Sequence, residues 1–210
     1  INEMGAGLGR VARFPGMPTS DIKAFNDKWI FNQLLLKRGL PGTPSRLLRT
    51  IDDAQDPEIL SLGFPMTVKP LTGEGGMGVV RIDGAAALSA HVTQELLPLI
   101  AQRFLPGHDA GLSFLAVEGK ILGQTLQRYH LDDLAIEFFR NDAIEELGRE
   151  FARLTKYTGL ANLDLRIDDD YRLLGIIECN PRFWGSIVAS RVHGINFVKA
   201  GVDLALGAEP

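Results

Sequence analysis

Cysteine is nearly missing from this 210-residue chain; Cys179 is the single one. One thiol makes neither an internal disulfide nor a thiolate zinc site, so the composition is that of a protein from a reducing compartment, and cytoplasm is the expected location. Long apolar runs are absent too. No stretch approaches the roughly 20 residues that span a bilayer, and no cationic segment followed by an apolar one marks a signal peptide, so a soluble protein without a membrane partner is expected. A basic surplus is lacking: 22 Lys and Arg stand against 26 Asp and Glu, for a net charge of -4, which argues against nucleic acid as the partner. Repeats and low-complexity tracts are lacking as well, and a hydrophobic content of 45% is enough to build a core. What the chain has in excess is glycine, 23 of 210 residues, where about 7% is usual.

At this length one large domain, or two small ones sharing a cleft, is expected. Residues 1–20 combine Gly, Pro and small residues without periodicity and read as a loop, linker or remnant of something upstream. Trp29, Ile30, Phe31, Leu34 and Leu35 form a helical stripe from Asn26 or Asp27, ended by Gly39 and Pro41. Phe64–Lys69 and Val79–Ile82 read as strands around the densest glycine cluster. Leu88, Val92, Leu96 and Ile100 predict a helix over about 86–100. Ser113–Val117 and Ile121–Gln124 flank a turn at Glu118-Gly119-Lys120. A third helix runs through Ile144, Leu147, Phe151, Leu154 and Tyr157, with Asn141 as N-cap and Gly159 as terminator. Asn162–Ile167 and Leu173–Cys179 form a hairpin around Asp168-Asp169-Asp170-Tyr171, and a helix follows over about 196–206. Helices alternating with hairpins indicate an α+β layered fold.

Gly73-Glu74-Gly75-Gly76-Met77-Gly78 satisfies the dinucleotide pattern G-x-G-x-x-G, but that pattern carries meaning only where a helix starts inside it. Here β-branched Val79-Val80-Arg81-Ile82 follows, so the dinucleotide reading fails. What remains is a hairpin tip whose bare N–H groups can fold over phosphates, or a mobile loop with no ligand. Lys69, at the end of the strand before the tip, favours the first reading, since its ammonium can reach a phosphate held there. In Ile177-Glu178-Cys179-Asn180-Pro181-Arg182, strand alternation turns Glu178, Asn180 and Arg182 to one face. A carboxylate and an amide carbonyl are hard oxygen ligands suited to Mg²⁺, and an adjacent arginine neutralises a transferring phosphoryl group; the alternative is an ordinary strand rim. Asp164 is the third candidate ligand. With Asp168 paired to Arg172 around a three-residue loop, Asn162 faces Glu178 and Asp164 lies diagonal on the same face. A two-residue loop would put the carboxylates on opposite faces. The Asp168–Asp170 triplet lacks calcium-loop spacing and reads as a solvated turn. His91, His108, His130 and His193 are scattered and form no triad or metal cluster.

Lys28, FPMTVKP with Lys69, the loop TGEGGMGVV, QRFLPGHD, and NLDL followed by IIECNPRFWGS together resemble the ATP-grasp superfamily of carboxylate–amine ligases. Carbamoyl-phosphate synthetase large chains, biotin carboxylase and D-alanine–D-alanine ligase belong to it. The resemblance covers residue 26 to the end, and its most specific part is the acid-x-Asn-Pro-Arg element. It implies two α+β subdomains with ATP bound between them: a lid subdomain at 26–101 carrying the glycine hairpin, and a larger one at 102–210 carrying the metal strands, with 1–25 as linker. It implies that Lys28 and Lys69 contact the phosphates under a lid containing Gly73, Gly75, Gly76 and Gly78. Gln102 and the backbone of Leu105 would meet adenine, and Asp109 the ribose. Asp164, Glu178 and Asn180 would hold two Mg²⁺ ions, with Mn²⁺ as a substitute, and Arg182, with Lys69, would act on the γ-phosphoryl and an acyl phosphate. Gln102 and Asp109 depart from the glutamates frequent there. The stretch Gln124–Asn141 is short, leaving Arg128 as its substrate-facing basic residue. Trp184 borders the substrate or packs, and packing is the expectation.

The implied reaction activates a small-molecule carboxylate as an acyl phosphate, which an amine or similar nucleophile then displaces. The alternative is a MgATP-binding module without ligase activity, serving as a sensor or as one domain of an assembly. Family enzymes carry an N-terminal α/β domain that 1–25 is too short to supply. A fragment is therefore expected, or an acceptor site completed by an N-terminal domain or a homo-oligomer partner.

Overall fold

The computed structural model describes residues 13–73, 75–130 and 135–208. The chain divides into two compact units, one of Asp27–Pro106 and the other of Ile1–Asn26 with Gly107–Pro210. The fold is α+β in both. Helices are α1 (Thr19–Asn26), α2 (Lys28–Lys37), α3 (Pro57–Leu60), α4 (Ala85–His91), α5 (Asp142–Thr155), α6 (Ala189–Val192) and α7 (Phe197–Ala205). Strands are β1 (Ser45–Leu48), β2 (Met66–Pro70), β3 (Val80–Ile82), β4 (Leu99–Arg103), β5 (His108–Val117), β6 (Lys120–His130), β7 (Ala135–Phe139), β8 (Gly159–Ile167) and β9 (Leu173–Asn180).

The smaller unit is an antiparallel sheet in the order β1-β4-β2-β3. Asp27 caps α2 by accepting from the Ile30 N–H, and Gly39 at φ 71 supplies the left-handed turn after it. One sheet face is apolar: Leu48, Met66, Val68, Leu99 and Ala101 pack with Ile59, Leu88 and Val92. The helix predicted over 86–100 ends at His91 instead, and Leu99–Arg103 is an interior strand between β1 and β2. Pro98 removes a helical donor, and Ile100 is buried through sheet pairing rather than helix periodicity. That strand also carries the division between units past residue 101, because Gln102 and Arg103 belong to its ladder.

The larger unit is a five-stranded antiparallel sheet in the order β7-β6-β5-β8-β9. Asn141 caps α5 by accepting from Ile144, as predicted from its sequence. The helix ends at Lys156 in the left-handed conformation, and Gly159 opens β8 rather than closing the helix. Ala110, Leu112 and Phe114 face α5, where Phe114, Phe151, Tyr157 and Phe25 of α1 make edge and tilted ring contacts at 5.3–6.0 Å. The expected linker at 1–25 lies partly outside the described residues, and its described part differs from a linker. It contains α1, whose buried Phe25 helps to close this aromatic cluster. Among the described residues no helix is long and apolar enough to cross a membrane.

Phe151 is fully buried at the centre of this cluster. Truncation of Phe151 to Ala is expected to destabilise the protein by about 3–5 kcal/mol, whereas Val202→Ala on the exposed side of α7 stays within about 0.5 kcal/mol. Urea unfolding of the two variants is the measurement, and equal midpoints would contradict the placement of the core.

Candidate functional site

The face of the larger sheet turned away from α5 is polar. Register alone sets its membership: Ser113 pairs with Asn162 and with Thr125, and Gly111 pairs with Asp164 and with Gln127. On the last pair of strands Asn162 stands opposite Asn180 and Asp164 opposite Glu178. The sequence places Asp164 diagonal to Glu178, and the structure corrects this. The loop closes on Asp168 and Arg172 as expected, with Asp168 N–H donating to Arg172 O at 3.0 Å. Two register shifts along the ladder then advance β9 by two residues. Each shift alone would turn the following side chains to the other face; two restore it. The carboxylates are therefore direct cross-strand neighbours on one face, with Cα atoms about 4.5–5.5 Å apart in such pairs.

Hydrogen bonds tie this face together. Asn162 Nδ2 donates to one oxygen of Asp164 at 2.6 Å, and Asn180 Nδ2 donates to the other at 3.0 Å. Arg182 donates to Asn180 Oδ1 at 2.9 Å. Behind Asn162, its Oδ1 accepts from Ser113 at 2.8 Å and from Gln127 Nε2 at 3.3 Å, and Gln127 Nε2 also donates to Tyr129 at 3.0 Å. Burial raises the Tyr129 phenol, with hydrogen bonds to Ser186 and Gln127 opposing and the Asp164 charge adding to the rise, so it is a neutral hydroxyl at pH 7. A Cβ on Gly111 would lie 2.7 Å from Asn162 Oδ1 and 2.8 Å from the Tyr129 hydroxyl. Only glycine leaves room for the network.

Asp164 accepts two amide bonds, whereas a carboxylate offers about four acceptor sites. One amide thus orients each of its oxygens, and the register sets the carboxylate opposite Glu178. Two carboxylates and one amide are a hard oxygen set that fits Mg²⁺. Among the described residues no three His, Cys, Asp or Glu converge into a fuller metal cluster. Cys179 points the opposite way and is buried; burial foremost, then the charges of Asp164 and Glu178, push its thiol well above the usual range.

In the smaller unit the hairpin predicted around the glycine cluster is present, with Met66 to Val68 paired to Ile82 to Val80. Gly73, Gly75, Gly76 and Gly78 have positive φ, and Glu74 lies outside the described residues. At Gly78 a Cβ would press on the Pro70 ring at 2.9 Å, so the loop returns close to its own start. Lys28, in the first turn of α2, is 6% exposed, and its Nζ donates to Gly73 O at 3.3 Å. A cation there adds to the positive end of the helix dipole. Lys69 is 3% exposed and shares a sheet face with Gln102, two rows away on β4. Buried ammonium groups call for anions or strong acceptors.

The other predicted positions are less open. Gln102 is buried and donates to Ser45 Oγ at 2.9 Å. Leu105 follows β4 in the connector. Asp109 accepts from Arg166 at 2.6 Å across β5 and β8. Arg128 does not join the polar face. It stands between Gln127 and Tyr129 in alternation, so it projects to the opposite side, its guanidinium 5.6 Å from the Tyr171 ring centre. Trp184 is buried and packs on Phe197 at 5.5 Å. Ser113, Gln127, Tyr129 and Asn162 are absent from the expected site. Their signal is the alternation Thr125-Leu126-Gln127-Arg128-Tyr129, hidden when the strand is ended at Gln124.

Residues 95–210 match the family model described as "ATP-grasp in the biosynthetic pathway with Ter operon". The arginine-specific large chain of carbamoyl phosphate synthase from Bacillus subtilis is 22% identical over 211 residues, which cover 92% of this chain and 20% of that protein. The chain thus spans about a fifth of that relative's length. Among solved structures, L-amino acid ligase from Bacillus licheniformis superposes with a TM-score of 0.68 at 22% identity, covering 91% of this chain and 50% of its own. D-alanine–D-alanine ligase from Bacillus anthracis, complexed with ATP, gives a TM-score of 0.73 at 16% identity, covering 100% and 75%. These structures show a shared fold.

Two outcomes test the site's packing. Gly111→Ala is expected to cost about 1–3 kcal/mol by forcing the network apart, read by thermal unfolding. Cys179 is expected to resist iodoacetamide at pH 8 until the protein is unfolded; rapid labelling of the folded protein would contradict its placement.

Proposed function

The chain belongs to the ATP-grasp family, and from that premise we propose that it is the MgATP-using core of a ligase that joins a carboxylate to an amine or similar nucleophile. The observation that carries this reading is the cross-strand pair Asp164 and Glu178, continued by Asn180 and Arg182 on one face. Lys28, Lys69 and the N–H groups around Gly73, Gly75, Gly76 and Gly78 are assigned to the phosphates, Gln102 and the Leu105 backbone to adenine, and Asp109 to the ribose. The pairing of Asp109 with Arg166 means that a ribose hydroxyl shares an already neutralised carboxylate.

Asp164, Glu178 and Asn180 would hold Mg²⁺, two ions in this reading, with Mn²⁺ as a substitute; bound there, the metal supplies positive charge to the phosphate oxygens. Asn162 orients Asp164 through its amide hydrogen bond. Lys28 and Lys69 fix the phosphate chain, and Arg182 neutralises charge on the group in transfer. In the first step a carboxylate oxygen of the substrate attacks the γ-phosphorus, the bond to the bridging oxygen breaks, and ADP leaves with that electron pair. In the second, the nucleophile attacks the acyl carbon and inorganic phosphate departs. Phosphoryl transfer to a carboxylate needs no side-chain nucleophile, in keeping with the buried Cys179 thiol. The whole protein's acceptor site, an N-terminal domain or second copy that completes it, and a cytoplasmic location are parts of the same proposal.

ADP release with MgATP and a panel of amino acids, dipeptides, hydroxy acids and bicarbonate tests the reading. At least one carboxylate is expected to stimulate release, and Glu178→Gln to lower it at least about a hundredfold, a size typical of lost electrostatic stabilisation. If MgATP raises the melting temperature while no carboxylate stimulates ADP formation, the chain is a nucleotide-binding module and the ligase reading fails.

A further inference from the structure

The larger unit holds a cavity of about 390 Å³ beside Arg182. It is bounded by residues 14–22 on one side, the start of β8 on another and Pro181–Phe183 on the third. Its volume lies near the lower end of ligand pockets, roughly 300–1,000 Å³, a size for a small molecule rather than a peptide. The wall is apolar, made chiefly by Phe14, Met17, Ile22, Tyr157, Leu160 and Phe183, with Phe14 and Phe183 tilted together at 5.3 Å. Two polar side chains of the wall, Tyr157 and Thr158, are engaged. The Tyr157 hydroxyl donates to Leu160 O at 3.0 Å, and Thr158 Oγ1 accepts the Glu118 N–H at 2.8 Å. Burial holds the Tyr157 phenol neutral. A Cβ on Gly159 would lie 3.0 Å from Pro15 O, so the 15–16 segment is set hard against β8 as the cavity's floor. Arg182 is the one charged residue of the lining.

An apolar chamber with a single cation selects an anion with an apolar body. Arg182 is also the residue that faces the reacting group in the proposed chemistry, and it is reached from Asn180 and Asp164 by hydrogen bonds of 2.9 and 3.0 Å. We propose that this cavity holds the aliphatic or aromatic tail of the carboxylate substrate, whose carboxyl group lies at Arg182. The assignment of this acid as the substrate rests on the ligase reading; binding in the cavity does not. A tail seated there leaves water and orders the acid with its carboxyl group toward the phosphates. Dicarboxylic acids are disfavoured, because a second charge would enter a chamber with no second cation.

The test uses 3-phenylpropionate, propionate and glutarate, with binding measured by calorimetry and turnover by ADP release. The wild-type chain is expected to bind 3-phenylpropionate at least about tenfold more tightly than propionate or glutarate, in proportion to the apolar area removed from water. Ile22→Glu, and independently Phe183→Asp at the half-exposed rim, are expected to abolish that preference while the melting-temperature rise caused by MgATP is kept. Equal binding of the three acids, or either folded variant retaining the preference, overturns the proposal. Cavity-dependent binding of 3-phenylpropionate without stimulated ADP release supports the cavity site and overturns the assignment of that acid as the substrate. ADP release stimulated only by propionate or glutarate supports the ligase reading and overturns the cavity as the place of the substrate's tail.

Discussion

Asp164 and Glu178 face each other only because β9 carries two residues more than its partner between the turn and the site. From the closing pair of Asp168 and Arg172, a regular ladder would set Glu178 against Asn162. The two extra residues slide β9 forward by one full repeat of the pleat, and that repeat moves Glu178 onto Asp164 without changing faces. The extra twist that bulges introduce also lies next to the site. Two features of the site follow from this register: the pairing of Asp164 with Glu178, and the reach of the Asn180 amide across to the second oxygen of Asp164.

A polar sheet face is expensive unless its groups satisfy one another. Here Ser113, Gln127, Tyr129 and Asn162 pass hydrogen bonds toward Asp164, and Gly111 supplies the space in which they meet. Such a face is rigid, and its carboxylate is oriented before any ligand arrives. That suits a reaction in which charge must be met rather than a bond made by the protein. The smaller unit works by contrast through burial of cations. Lys28 sits at a helix start and Lys69 inside a sheet, and both are buried.

Much of this was legible in the residues. The apolar stripes of α2 and α5, their caps at Asp27 and Asn141, and the two glycine-ended hairpins follow from local rules that tertiary packing did not override. Two kinds of feature were not legible. Leu99–Arg103 carries apolar residues that fit a helix face equally well, and its partners lie far off in sequence, so periodicity misassigned it. The register of β8 on β9 depends on bulges that no residue type announces, which is why the diagonal placement of Asp164 was off by one pleat repeat. The polar relay behind Asp164 stayed hidden for a related reason: Gln127 and Tyr129 acquire meaning only once β6 is long enough to bring them beside Asn162. Arg128, one residue between them, falls to the wrong face by the same alternation.

The central claim is that Asp164, held across from Glu178, binds the metal through which this chain grips nucleotide. Calorimetric titration with ATP, in Mg²⁺ and then in EDTA, tests it most directly when done on the wild-type chain and on Asp164→Asn. The account predicts ATP binding at least about tenfold tighter in Mg²⁺ for the wild type, a difference of about 1.4 kcal/mol, and loss of that difference in a variant that melts within a few degrees of the wild type. A folded Asp164→Asn protein with undiminished Mg²⁺ dependence would contradict it.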